Sequence, residues 1–64
     1  MKQWSIDIFR KNKSTTVYFD DQYDAIRYAI KAAQKEPKTN IYMLEKFFDD
    51  KYDNIVLLYE GKEA

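Results

Sequence analysis

Histidine and cysteine are both absent from this chain of 64 residues. Without cysteine there is no disulfide framework and no thiolate metal site. Without histidine the commonest metal ligand and general base is missing. Any nucleophile–base pair would have to be built from Lys, Asp, Glu or Tyr. Glycine and proline occur once each, as Gly61 and Pro37. That rules out a glycine-rich loop cradling phosphates. It also rules out the glycine-flanked aromatic run of RNA-recognition domains. Net charge is zero, with 11 basic and 11 acidic residues. Such a balance argues against a strongly basic nucleic-acid binder and against a uniformly acidic DNA mimic. It also leaves no long-range repulsion to keep copies apart. No stretch approaches the ~20 apolar residues of a membrane span. The segment Met1–Asp7 has no apolar core of a signal peptide, and there is no purification tag. The expectation is a cytoplasmic protein with no membrane partner, read as a complete short frame.

What is present is apolar and aromatic. A hydrophobic fraction of 45% and 17% aromatics exclude a disordered chain. Residues 1–64 read as a single small domain. At this size folding buries only about 60% of the surface that the unfolded chain exposes. Domains this small usually gain support from disulfides, a metal or an oligomeric partner. Oligomerisation is the device left.

Residues 3–10 predict a first strand, with Trp4, Ile6 and Ile8 alternating with Ser5 and Asp7. A turn over 11–14 follows, with Asn12 able to take a left-handed conformation. Thr15, Thr16, Val17, Tyr18 and Phe19 predict a second strand over 15–20. With Asn12-Lys13 at the tip, Ile8 would face Val17 and Ile6 would face Phe19. One face then carries Trp4, Ile6, Ile8, Val17 and Phe19; the other carries Asp7, Phe9, Thr16 and Tyr18. Asp20 or Asp21 caps a helix whose apolar stripe is Tyr23, Ile26, Ala29/Ile30 and Ala33. Pro37 stops it near Lys35. Strands over 41–48 and 55–60 flank a polar turn at 49–54, and Gly61 ends the last. The fold class is α+β: ββαββ, a four-stranded antiparallel sheet in the order 2-1-3-4 with one helix on one face. The crossover should be right-handed.

The last two strands are apolar on both faces, through Ile41-Tyr42-Met43-Leu44, Phe47-Phe48 and Ile55-Val56-Leu57-Leu58-Tyr59. A strand with one wet face alternates apolar and polar residues. One helix covers one face, so a partner should cover the other. Two alternating sets compete for the core. The first is Ile41, Met43, Glu45, Phe47, Ile55, Leu57 and Tyr59. The second is Tyr42, Leu44, Lys46, Phe48, Val56, Leu58 and Glu60. The first is preferred, because its members in the last strand are all apolar; Glu45 then needs a donor or an edge position. The expected protein-interaction face is Phe9, Tyr18, Tyr42, Leu44, Phe48, Val56 and Leu58. Its occupant is most simply a second copy of the chain; in another arrangement, the hairpins of two chains join into one sheet.

A second constellation is basic. Arg27, Lys31 and Lys35 recur along the helix, with Lys38 beyond. Arg10, Lys11 and Lys13 gather at the first hairpin. These residues could contact phosphates, but a solvated face suited to the helix dipole explains them as well. Asp49, Asp50, Asp53 and Asn54 lack the turn glycine and distal glutamate of a calcium loop and read as a charged turn. With Asp20, Asp21 and Asp24 they would mimic phosphates only if they converged in space. Glu45, within an apolar run, is a candidate general acid only if buried. The expectation is a non-enzymatic protein–protein interaction module without cofactor or metal, homodimeric through the open face. Its size and composition suit a bacterial or phage accessory or inhibitor protein. The alternative is a nucleic-acid-binding regulator using the basic residues.

Overall fold

A computed structural model describes residues 2–47 and 53–61, with the backbone alone at Phe47 and Asp53. The elements are β1 (Lys2–Phe9), β2 (Ser14–Phe19), α1 (Gln22–Lys35), β3 (Asn40–Phe47) and β4 (Asp53–Glu60). They form a four-stranded sheet in the order β2-β1-β3-β4, with every neighbouring pair antiparallel. This is the ββαββ arrangement expected from the sequence.

The first hairpin closes one step earlier than expected. Lys11 and Asn12 form the turn, closed by Arg10 N–H donating to the Lys13 carbonyl at 2.9 Å. Among the described residues none has a positive φ, so Asn12 is not left-handed. The register pairs Trp4 with Phe19, Ile6 with Val17 and Ile8 with Thr15. Ile8 therefore faces Thr15 rather than Val17. Because side chains alternate with a period of two, this even-numbered shift leaves every residue on its expected face.

The helix starts as expected: the Asp21 side chain accepts from the Tyr23 N–H at 3.1 Å. It ends at Lys35, where Glu36 N–H returns to the Ala32 carbonyl at 2.8 Å and Pro37 forbids continuation. Its buried face keeps Ile26, Ala29 and Ala33 of the expected stripe and leaves out Tyr23. Ala25 and Ala29 are buried, with Ile26, Tyr28, Ala32 and Ala33 beside them. Tyr23 and Ile30 are largely exposed. Alanine lets the helix axis lie close to the sheet, and the large residues then splay to its flanks. The core is Ile6, Ile8, Ile41 and Met43 from the sheet under Ala25 and Ala29. Helix α1 packs on β1, β2 and β3.

The link from helix to β3 is clamped by β4. The Tyr59 hydroxyl donates to the Pro37 carbonyl at 2.7 Å, and Gly61 N–H donates to the Thr39 carbonyl at 2.8 Å. Buried Thr39 donates its hydroxyl to the Glu36 carbonyl at 2.8 Å. A Cβ on Gly61 would collide with the Pro37 carbonyl and the Thr39 backbone. The sole glycine thus marks a close approach of two backbones.

Candidate interaction surface

The face away from the helix is organised in levels set by the strand register. Ser5 on the central strand β1 pairs with Tyr18 on one side and Leu44 on the other, and Leu44 pairs with Ile55. Toward the first turn, the next level on this face holds Thr16, Asp7, Tyr42 and Leu57. The level beyond it holds Phe9, Asn40 and Glu60. In the opposite direction Gln3 pairs with Lys46, and Lys46 with Asp53.

Apolar groups dominate this open face. Tyr18 is 66% exposed, Ile55 69%, Leu57 46% and Phe9 45%. Tyr42 and Leu44 are half-buried. Phe9 and Tyr42 meet edge to face, with ring centroids 5.5 Å apart and planes at 83°. Beside them opens a cavity of about 400 Å³ lined by Asp7, Phe9, Asn40, Tyr42, Leu44 and Ile55. Its polar side chains are the Asp7 carboxylate, the Asn40 amide and the Tyr42 hydroxyl. The Asn40 Oδ1 is buried without a hydrogen-bond partner. Half-buried Asp7 likewise has no ion pair or hydrogen bond among the described residues.

The expected membership of this face is right for Phe9, Tyr18, Tyr42 and Leu44 and needs correction for Val56 and Leu58. The β3–β4 register runs Ile41 with Tyr59, then Tyr42 with Leu57. Leu58 is the extra residue of a bulge, and the bulge inverts the remainder of β4 relative to strict alternation. Val56 pairs with buried Met43 and so lies on the helix side. Leu58 packs on the core beside Tyr59, lining a small cavity with Ile26, Ala29, Ile30, Ala33 and Gln34. Ile55 and Leu57 take the open-face places. The visible signal was the unbroken run Ile55–Tyr59, because two adjacent residues reach one core only across a bulge. Phe48, also assigned to this face, lies outside the described residues, as do Asp49, Asp50 and Lys51 of the acidic turn.

Glu45 is on the helix-side face and has donors. Trp4 Nε1 donates to its Oε2 at 3.1 Å and Asn54 Nδ2 to its Oε1 at 3.3 Å. Lys2 Nζ is 3.8 Å away. This cage accounts for an acid within an apolar run by ordinary pairing.

The basic residues divide. Arg10, Lys31 and Lys35 converge on a cavity of about 380 Å³ with Ile8, Tyr28 and Ala32. Glu36 lines the same cavity and occupies Arg10: Nε donates to its Oε2 at 2.9 Å and Nη2 lies at 2.7 Å. Arg10 Nη1 also donates to the Thr15 hydroxyl at 2.7 Å. The hydrogen bond from Arg10 lowers the Glu36 pKa, with Lys35 and Lys13 adding to the effect. The same bond raises that of Arg10. Arg27 lies 6.0 Å from the Tyr23 ring centroid. Lys11, Lys13 and Lys38 are exposed.

No known protein family, curated protein or solved structure matches this chain. Among the described residues there is no cluster of acidic side chains able to hold a metal and no helix long and apolar enough to cross a membrane.

Proposed function

We propose that this chain is a small cytoplasmic, non-enzymatic protein–protein interaction module that pairs with a second copy of itself through the open sheet face. One observation carries the reading: Phe9, Tyr18, Ile55 and Leu57 stand exposed on the face that the helix leaves bare, where Phe9 and Ile55 line a cavity. Contiguous apolar surface of this kind on a small domain marks an interaction site. Aromatic residues are enriched among those that carry binding energy. A sandwich of two such sheets would supply the second layer that a single helix cannot.

Sedimentation equilibrium tests this. The wild-type chain should show twice the monomer mass at about 100 µM, and Leu44→Asp should weaken association about 100-fold. A folded wild type that stays monomeric overturns the reading.

A second reading rests on the convergence of Arg10, Lys31 and Lys35 on one cavity, which could take a nucleic-acid phosphate. Glu36 in the same cavity counts against it. Gel retardation of DNA and RNA at low salt decides: no salt-dependent shift ends this alternative.

A further inference from the structure

We infer that the dimer is built around a two-fold axis at Leu44, with Lys46 of each copy seated in the Asp7–Asn40 cavity of the other. The inference rests on the open-face pairing proposed above and specifies its geometry. The axis level consists of Tyr18, Ser5, Leu44 and Ile55. It carries no charge, so each residue can meet its own copy without like-charge repulsion. Asp7 lies on the level two residues to one side and Lys46 two residues to the other, about 7 Å each way at strand spacing. Their charges are opposite, and their levels are equidistant from that of Leu44. An in-plane axis at Leu44 perpendicular to the strands therefore exchanges the two levels. Lys46 of one copy comes to lie over Tyr42 of the other, one strand away from Asp7. In an isologous interface the contact then occurs twice.

The cavity suits this occupant. Its walls of Phe9, Tyr42 and Leu44 would cover a four-carbon stem. Among its polar groups the half-buried Asp7 carboxylate is an acceptor with no ion pair or hydrogen bond among the described residues. An ammonium carries three donors and no acceptor. The Tyr42 ring adds a face for the cation. Lys46 is exposed and has no ion pair or hydrogen bond among the described residues. Gln3, level with Lys46, brings an amide over Asp7 in the same docking. Asp53, across from Lys46 on β4, lies at the sheet edge.

Charge exchange between copies tests the geometry. Asp7→Lys alone and Lys46→Asp alone should each weaken the dimer about 10-fold or more, because both contacts become like-charged. Mixed one to one, these two variants should form a heterodimer within about 3-fold of wild-type affinity, since both of its contacts are again opposite in charge. Native mass spectrometry and sedimentation read the outcome, with circular dichroism reporting that each variant is folded. Should a reversal prevent folding, Asp7→Asn and Lys46→Gln replace it, and the double variant should be no weaker than either single one. Variants that dimerise like wild type, a mixture that stays monomeric, or additive losses in the milder pair overturn the inference. If Leu44→Asp still disrupts the dimer in that case, the open-face reading stands and only the axis is wrong. A monomeric wild type overturns both.

Discussion

Glu36 shows how much one side chain can be asked to do. It caps the helix C-terminus through its backbone, accepts the Thr39 hydroxyl at its carbonyl and holds Arg10 with its carboxylate. Its folded pKa lies below the ordinary value, chiefly through the Arg10 hydrogen bond. A depressed carboxylate pKa contributes stability that is present above the unfolded value and lost as pH falls through the folded one. Glu36→Gln should therefore flatten the decline of melting temperature below the ordinary glutamate value of 4.5, while changing little of its slope near neutrality. Thermal unfolding followed from acid to neutral pH checks this. Gly61 makes a sharper prediction. The backbone atoms of Pro37 and Thr39 leave no room for a methyl group, and they belong to the clamped link. Gly61→Ala should destabilise the fold by about 2–3 kcal/mol in urea unfolding, as overpacking against a rigid neighbour does. From the sequence Gly61 reads only as a strand terminator, because its crowding depends on a turn more than twenty residues away.

At the level of elements, the strands and the helix were legible because their signals are local. Alternation marks β1, β-branched residues mark β2, and Asp21 and Pro37 bracket α1. The positions that went astray depend on contacts the local pattern does not carry. The helix stripe is right at Ile26, Ala29 and Ala33 and fails at Tyr23, which is exposed, while Ala25 takes a buried place that the stripe does not include. Strict alternation along β4 puts Ile55 inward and Leu58 outward, whereas its bulge turns Leu58 inward and Ile55 outward. This assignment has a direct check. In a Leu44→Asp background, where association does not contribute, Leu58→Ala should cost about 2 kcal/mol of folding stability. Ile55→Ser in the same background should stay within about 0.5 kcal/mol, as exposed positions do. Strict alternation would reverse that ranking.

For the whole molecule, the order of the strands and the bareness of one face could be argued in advance. A single helix has one face to cover, and the last two strands are apolar on both. What could not be read was the pattern of charge on that face, since it requires the registers of all three strand pairs. Asp7 and Lys46 are thirty-nine positions apart in the chain and become symmetric about Leu44 only through the β1–β3 pairing. If two copies share the face, apparent stability depends on concentration. Melting temperature should rise with wild-type concentration and stay constant for Leu44→Asp.

The sheet order also constrains how the chain acquires its structure. Strand β1 is central, yet one of its neighbours is β3, on the far side of the helix. During synthesis the β1–β2 hairpin can close early, but β1 keeps an unsatisfied edge until β3 has been made. The core residues Ile6 and Ile8 stay without Ile41 and Met43 over that interval. Native contacts dominated by such distant pairings form more slowly than those of helical domains of equal length. The nascent hairpin, with both edges open and the apolar face of Trp4, Ile6, Ile8, Val17 and Phe19 uncovered, is the species most exposed to aggregation.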